Sequence, residues 1–379
     1  MRFPLLTFLI LFAWVSATPA QSKLLGLLWE YQTPGGLPQA VVLEQTGRQH
    51  LLVALKAGGL AVLKLNGTAR PTEVARVPIQ QLGKLDVMHL TQRGQLLYLA
   101  LGDLFAAKGA HAGLAVVDLS KPAMPKVLGL WVSPGPQNGS AVVVVEDNYA
   151  YLGAMSWGVE ILDISVPRKP VHLATFQPNV NFPRPNPKKV QHPNARGLLL
   201  AGDRLFVAYD AGGIRVLDVK NRKAPREIGR YVNAKMGNKQ QAYNDLALEG
   251  DLLYATTDYA GLEIINVKNP SAMYQVGWWN PWKAETLKNL WLNSPGHTNQ
   301  IALDRKRKRA FVSAGDSELQ VVDVSNPREP TLVRHYGEPK DGRGAWGVTL
   351  AEEVIYLSYI QAIVPFRGNW SGIVAVQSR

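Results

Sequence analysis

The chain has 379 residues, 46% of them hydrophobic and 18% charged, so it carries the apolar material for a large core and is not a disordered polyelectrolyte. Its formal net charge of +12 favours acidic partners, and the absence of cysteine excludes disulfides, thiolate catalysis and lipid attachment to Cys.

The first residues, MRFPLLTFLILFAWVSATPAQSK, place Arg2 before an uncharged apolar run from Leu5 to Val15, followed by small residues. This predicts a signal peptide over residues 1–20, with cleavage after Ala17 or Ala20. The run falls short of the ~20 apolar residues that a membrane span needs, and no later stretch resembles one. Cleavage would remove Arg2 and leave a net charge of +11. An exported chain without cysteine is expected in the periplasm of a Gram-negative bacterium, or secreted. Export sets nucleic acid aside as a partner, and a monomer with no transmembrane segment is expected.

Next comes KLLGLLWEYQTP (Lys23 to Pro34), which reads as a strand with nothing before it to pair with. A repeat then begins. The segment G-[LIV]-x-[VI]-[VLI]-[DN]-[VIL] starts at Gly113, Gly158, Gly213 and Gly261, and again at Glu318 with the glycine replaced. Weaker copies start at Gly59 and Gly372, which makes seven. An apolar or aromatic residue with a small one two places on precedes each copy: Leu52/Ala54, Tyr98/Ala100, Tyr151/Gly153, Phe206/Ala208, Tyr254/Thr256, Phe311/Ser313 and Tyr356/Ser358. After Asp118, Asp163 and Asp323 the chain has Pro at +4 and +7; the other copies keep one Pro or none. An Asx side chain holds a turn and Pro refuses to extend a ladder, so these residues read as a repeated hairpin turn.

Each unit therefore has four strands, A to D, with strand C almost continuously apolar and so covered on both faces. Seven four-stranded antiparallel sheets with both faces covered are the blades of an all-β, seven-bladed β-propeller, here a single domain over residues 21–379. The last unit ends on a strand C, Gly372 to Arg379, so the unpaired N-terminal strand is expected to complete the last blade. Only Asn280 to Leu292 has a helical look.

The segments LAVVD, VEILD, IRVLD and LQVVD with their N-P-x-x-P tail resemble the LVIVD repeat family over nearly the whole mature chain. The resemblance implies the propeller fold; its motif residues are packing and turn residues and imply no activity. Lys64 and Gln377 replace the motif Asp in the first and seventh copies.

Strand alternation puts A–B and C–D turns on one face and B–C and D–A connections on the other. The second face holds the long loops: Asp103 to Ala112, Gln177 to Ala195, Val232 to Asn244, Trp278 to Asn299 and Tyr359 to Ser371. Function is expected there, around the mouth of the central channel. Asp86, Arg196, Asp245 and Asn299 lie at strand A starts and are candidates for a polar ligand. Trp157, Tyr243, Trp282, Trp291 and Trp346 are candidates for a platform that takes sugar rings or a partner chain. Arg184, Lys188, Lys189 and Arg343 add positive charge that would attract anions. Asp210, Asp258 and Asp316 read as B–C turn residues. No cofactor is called for; if a metal binds, His111, His192 and His297 are the ligands for zinc or copper. No G-x-S-x-G, H-E-x-x-H, P-loop or dinucleotide motif occurs. The expected function is a binding or interaction module for an envelope protein or an anionic or polysaccharide ligand. The alternative is a periplasmic enzyme, hydrolytic or metal-dependent, with its site at the same channel mouth.

Overall fold

Strands of the Leu-Ala-Val-Val kind cannot be exposed on either face, and the chain buries them between sheets. The computed structural model describes residues 23–106, 109–189, 192–287, 296–339, 341–362 and 366–379. The expected leader and Trp291 lie outside them.

Seven sheets form, each built on four antiparallel strands in the order A, B, C, D, with a short fifth strand on the outer edge of blade 6. Blade 1 runs through Ala40–Leu43, His50–Ala54, Leu60–Asn66 and Ala69–Val77. Blades 2 to 6 follow, with strand C at Gly113–Asp118, Val159–Asp163, Ile214–Asp218, Gly261–Asn266 and Leu319–Asp323. Blade 7 takes its three inner strands from Ala345–Ala351, Val354–Tyr359 and Gly372–Gln377. Its outer strand is Leu27–Tyr31, paired antiparallel with Gly372–Gln377, so the N-terminal strand closes the ring. One part of that expectation needs correction. Lys23 and Leu24 do not continue along blade 7 but pair in parallel with Arg334 and His335 on the outer edge of blade 6. The seam is thus stitched across two blades.

The apolar core is distributed, with one cluster for each interface between neighbouring blades. Between blades 4 and 5, for example, Phe206, Val216 and Ile214 pack on Leu246, Leu253 and Ile265. The aromatic residue of strand B belongs to these interfaces: Tyr98, Tyr151, Phe206, Tyr254, Phe311 and Tyr356 are all nearly inaccessible. The small residue two places on has a geometric cause. The next blade's entry to strand A crosses it closely enough that a Cβ at Gly153 would collide with the Ala195 carbonyl oxygen. Where the residue carries a hydroxyl, it bonds that neighbour instead: Thr256 donates to Asn299 O at 2.8 Å and Ser313 to Trp346 O at 2.9 Å.

The Asx turns after strand C are present. Asp118, Asp163, Asp218, Asn266 and Asp323 each accept the backbone N–H two residues on, at 2.8–3.2 Å. Asp210 and Asp258 lie in B–C turns as read, and both are buried there. The described part of the helical-looking stretch, residues 280–287, forms successive turns rather than a helix.

Candidate functional site

Three blades deform at the start of strand A, and all three deformations face the channel. In blade 2 the register skips between Val87 and His89, leaving Met88 as the extra residue. In blade 5 it skips between Tyr243 and Leu246, releasing Asn244 and Asp245. In blade 7 it skips between Ala345 and Gly347, releasing Trp346. An unpaired residue at a bulge re-aims its side chain and interrupts pairing. Here Met88, Asn244, Asp245 and Trp346 line a cavity of about 200 Å³ together with Arg196, Asn299 and His89.

Trp346 is the hub. Its ring lies 5.5 Å from Phe105, delivered by the B–C insertion of blade 2, and 6.4 Å from Phe366, delivered by that of blade 7. The Arg196 guanidinium sits 5.3 Å from the ring centre and donates to Asn299 Oδ1 at 3.3 Å. Asn299 in turn donates to the Trp346 carbonyl at 2.6 Å. Arg196 is therefore held by an indole face and an amide oxygen and makes no salt bridge among the described residues, although its charge also acts on the buried Asp210 carboxyl, which it lowers against the larger upward push of burial. At the rim, Lys56 pairs with Asp103 at 3.0 Å and lies over Phe105.

Asp245 accepts from Ile301 N at 3.1 Å and from Leu246 N at 2.9 Å, yet burial pushes its carboxyl up to about 6. His89 is driven down to about 4 by the same desolvation and is neutral at pH 7. Behind Trp346, His297 stacks on the indole at 6.2 Å and lies 3.3 Å from Asp258. Burial, reinforced by Arg196, holds that imidazole down at about 3. Asn244 ties the group together by donating to Asp258 Oδ1 and to Thr298 O, at 2.5 and 2.8 Å.

Of the eight sequence-chosen ligand residues that lie among the described residues, four, Arg196, Asp245, Asn299 and Trp346, thus share one cavity. The other four sit elsewhere. Asp86 is half-buried before strand A of blade 2, and burial and then Asp103 raise its carboxyl. Tyr243 is buried, bonded to Gln241 and Glu263. Trp282 packs edge-on against Trp279 at 5.7 Å. Trp157 stands on the outer rim of blade 3, beside a different cavity. Nor do the three histidines gather: His111 contacts Ser133 O, His192 contacts Pro193 O and His297 faces Asp258. Among the described residues no group of three His, Asp or Glu is placed to hold a metal ion. Arg343 is committed to Glu30 at 2.5 and 3.3 Å.

Sequence reasoning missed Asn244, Met88 and His89. The trace of the bulges is a longer strand A, seven residues at Tyr243–Glu249 against five at Gly197–Ala201, and it is visible only once the strand ends are known.

Residues 139–176, 194–233, 242–280 and 295–337 match the LVIVD repeat model. The chain is an LVIVD-repeat protein. The four matches coincide with blades 3 to 6, and the structure extends the same unit to the three remaining blades of the LVIVD propeller. No curated protein matches it in sequence. Among solved structures, it resembles a chain of the mitotic checkpoint complex with TM-score 0.64 and 11% identity, over 100% of this chain and 99% of that one. U3-55K gives 0.63 and 10%, over 94% and 100%. The β-propeller domain of Myceliophteria thermophila Cps50 (Swd1) gives 0.60 and 13%, over 93% and 100%. At such identities the likeness is one of fold. Among the described residues no helix is long and apolar enough to cross a membrane.

Proposed function

We propose that this LVIVD-repeat propeller is an exported binding module, working in the periplasm of a Gram-negative bacterium, that holds an anionic group at the channel mouth. The observation that carries this reading is the Arg196 guanidinium, laid over Trp346 with no salt bridge among the described residues, at a cavity built from three strand bulges. Phe105 and Phe366 shield the ring, so the charge is partly desolvated and an incoming carboxylate gains more there than at the surface. The leader pattern at residues 1–20 supports export.

The test is a thermal-shift and calorimetric screen of the purified protein with mono-, di- and tricarboxylates. Binding is expected for at least one, and Arg196→Gln and Trp346→Ala should each weaken it about tenfold or more. If no carboxylate binds, or if both variants bind as tightly as the parent, the channel mouth is not an anion site.

A further inference from the structure

The third position of the strand C motif is apolar in blades 1, 2 and 7, where it is Ala61, Ala115 and Val374. In blades 3, 4 and 5 it is Glu160, Arg215 and Glu263, all almost wholly buried. The chain closes over two of these charges with its own groups. Arg215 donates to Glu227 and to the Asn179 and Phe182 carbonyls at 2.8–3.2 Å, with the Phe182 ring against its guanidinium. Glu263 accepts from Tyr231, Tyr243 and Gln275 at 2.9–3.2 Å. Blade 3 differs. Beside Glu160 lies an open cavity of about 500 Å³ between the outer edges of blades 2 and 3. That size falls within the ~300–1,000 Å³ of small-molecule sites.

Its walls are indoles and its floor is polar. Trp131 stacks on His172 at 5.7 Å with the planes 10° apart, and Trp157 stands 47% exposed. Glu160 accepts from Gln137 Nε2 at 2.7 Å, from Thr175 Oγ1 at 2.6 Å and from His172 Nε2 at 2.7 Å. Because Gln137 gives its amide N–H to the carboxylate, its amide orientation is set and Oε1 is left over. That oxygen is buried with no partner among the described residues, on a side chain only 7% exposed that lines the cavity. A buried acceptor without a donor costs about 1–3 kcal/mol, and a ligand hydroxyl would remove that cost.

We propose that this cavity binds one sugar ring of a glycan, its C–H face on Trp157 and its hydroxyls donating to Gln137 Oε1 and to the remaining lone pair of Glu160. A ring with apolar faces and donor-rich edges matches indole walls over a floor of acceptors. A cationic ligand matches less well. Three donors already satisfy the Glu160 charge, and the chain carries +12. The site is separate from the channel mouth and does not depend on it.

The test uses tryptophan fluorescence and saturation-transfer NMR on the purified protein with cellohexaose, maltohexaose and chitohexaose. At least one is expected to bind, with affinity reduced about tenfold or more in Trp157→Ala and in Gln137→Ala and unchanged in Trp346→Ala. Trp157 is exposed enough that its removal leaves folding intact. Three outcomes would overturn the proposal: no binding of any of the three sugars, binding that survives both Trp157→Ala and Gln137→Ala, or binding abolished by Trp346→Ala. Trp157-dependent binding of tetramethylammonium in place of the sugars would make the cavity a cation site and likewise refute it.

Discussion

Arg196 and Asp245 face the same cavity with opposite formal charge, and only one of them can be switched off by ordinary acid. The Asp245 carboxyl, raised to about 6 by burial, is ionised at pH 8 and protonated at pH 5. Above pH 6 it repels an anion bound at Arg196; below pH 6 that repulsion is gone. Affinity for a bound carboxylate should therefore rise by about tenfold as pH falls from 8 to 5, while the ligand itself stays ionised. Asp245→Asn should bind at pH 8 about as the parent binds at pH 5, with a flat profile by calorimetry. A parent profile that is flat, or that slopes the other way, would show that Asp245 does not sense the ligand. At this scale the sequence was readable where the cause is local and unreadable where it is not. The Asx turns after strand C depend on a bond to the residue two places on, and they appear as read. Asp258 shares the Asp-in-a-turn signature, but Asn244 from the strand A bulge and His297 from the following D–A loop turn it into part of a buried cluster. Glu318 replaces a glycine that in blades 1, 3, 4 and 5 has φ of 76–89°, and it keeps a left-handed φ of 47°. Its carboxyl accepts from Tyr359 of the next blade and is pushed up to about 7, chiefly by burial. Nothing near Glu318 in the sequence announces that partner.

Strand D shows why blades stack at a fixed spacing. Each outer strand carries a one-residue bulge against strand C, and in blades 2, 4 and 5 a glycine lies beside it: Gly129, Gly229 and Gly277. A Cβ at Gly277 would overlap the carbonyl oxygen of Pro327 in the Asx-Pro turn of the next blade, and Gly129 and Gly229 stand in the same relation to Pro167 and Pro270. The repeated proline is thus both a strand terminator and the contact surface offered to the preceding blade. Gly277→Val should destabilise the protein by about 1–3 kcal/mol through overpacking, read as a lower denaturant midpoint. Tyr274→Val on the same strand, 58% exposed, should change it by under ~0.5 kcal/mol. Equal effects would mean that the close approach to Pro327 is not a stabilising contact. The number of elements and their order were legible because period and turn chemistry repeat seven times. The strand A bulges were not: a bulge adds a residue without changing composition, so Trp346 and Asp245 could be put on the right face but not at one cavity.

A closed ring gives every blade two neighbours, so the place where the chain joins itself decides how the whole opens. That seam combines the main-chain pairing of Leu27–Tyr31 with Gly372–Gln377, the Glu30–Arg343 ion pair, the parallel pairing of Lys23 and Leu24 on blade 6, and one large side chain, Trp29. Trp29 is 5% exposed, lies 5.9 Å from Tyr356, and joins the cluster between blades 7 and 1 with Val41, Leu51 and Val53. Only a short strand carries it, so losing its packing should release the strand before any complete blade unfolds. Trp29→Ala should cost about 3–5 kcal/mol, as a buried Phe206→Ala in the middle of blade 4 should. The two variants should nevertheless fail differently under limited proteolysis. In Trp29→Ala the first cuts, mapped by mass spectrometry, should fall within residues 23–36 while the other blades stay protected. In Phe206→Ala cleavage should await global unfolding and spread along the chain. If Trp29→Ala is cut with the same spread as Phe206→Ala, the seam opens no more easily than any other interface, and ring closure would have to be as strong as the cores between continuous blades.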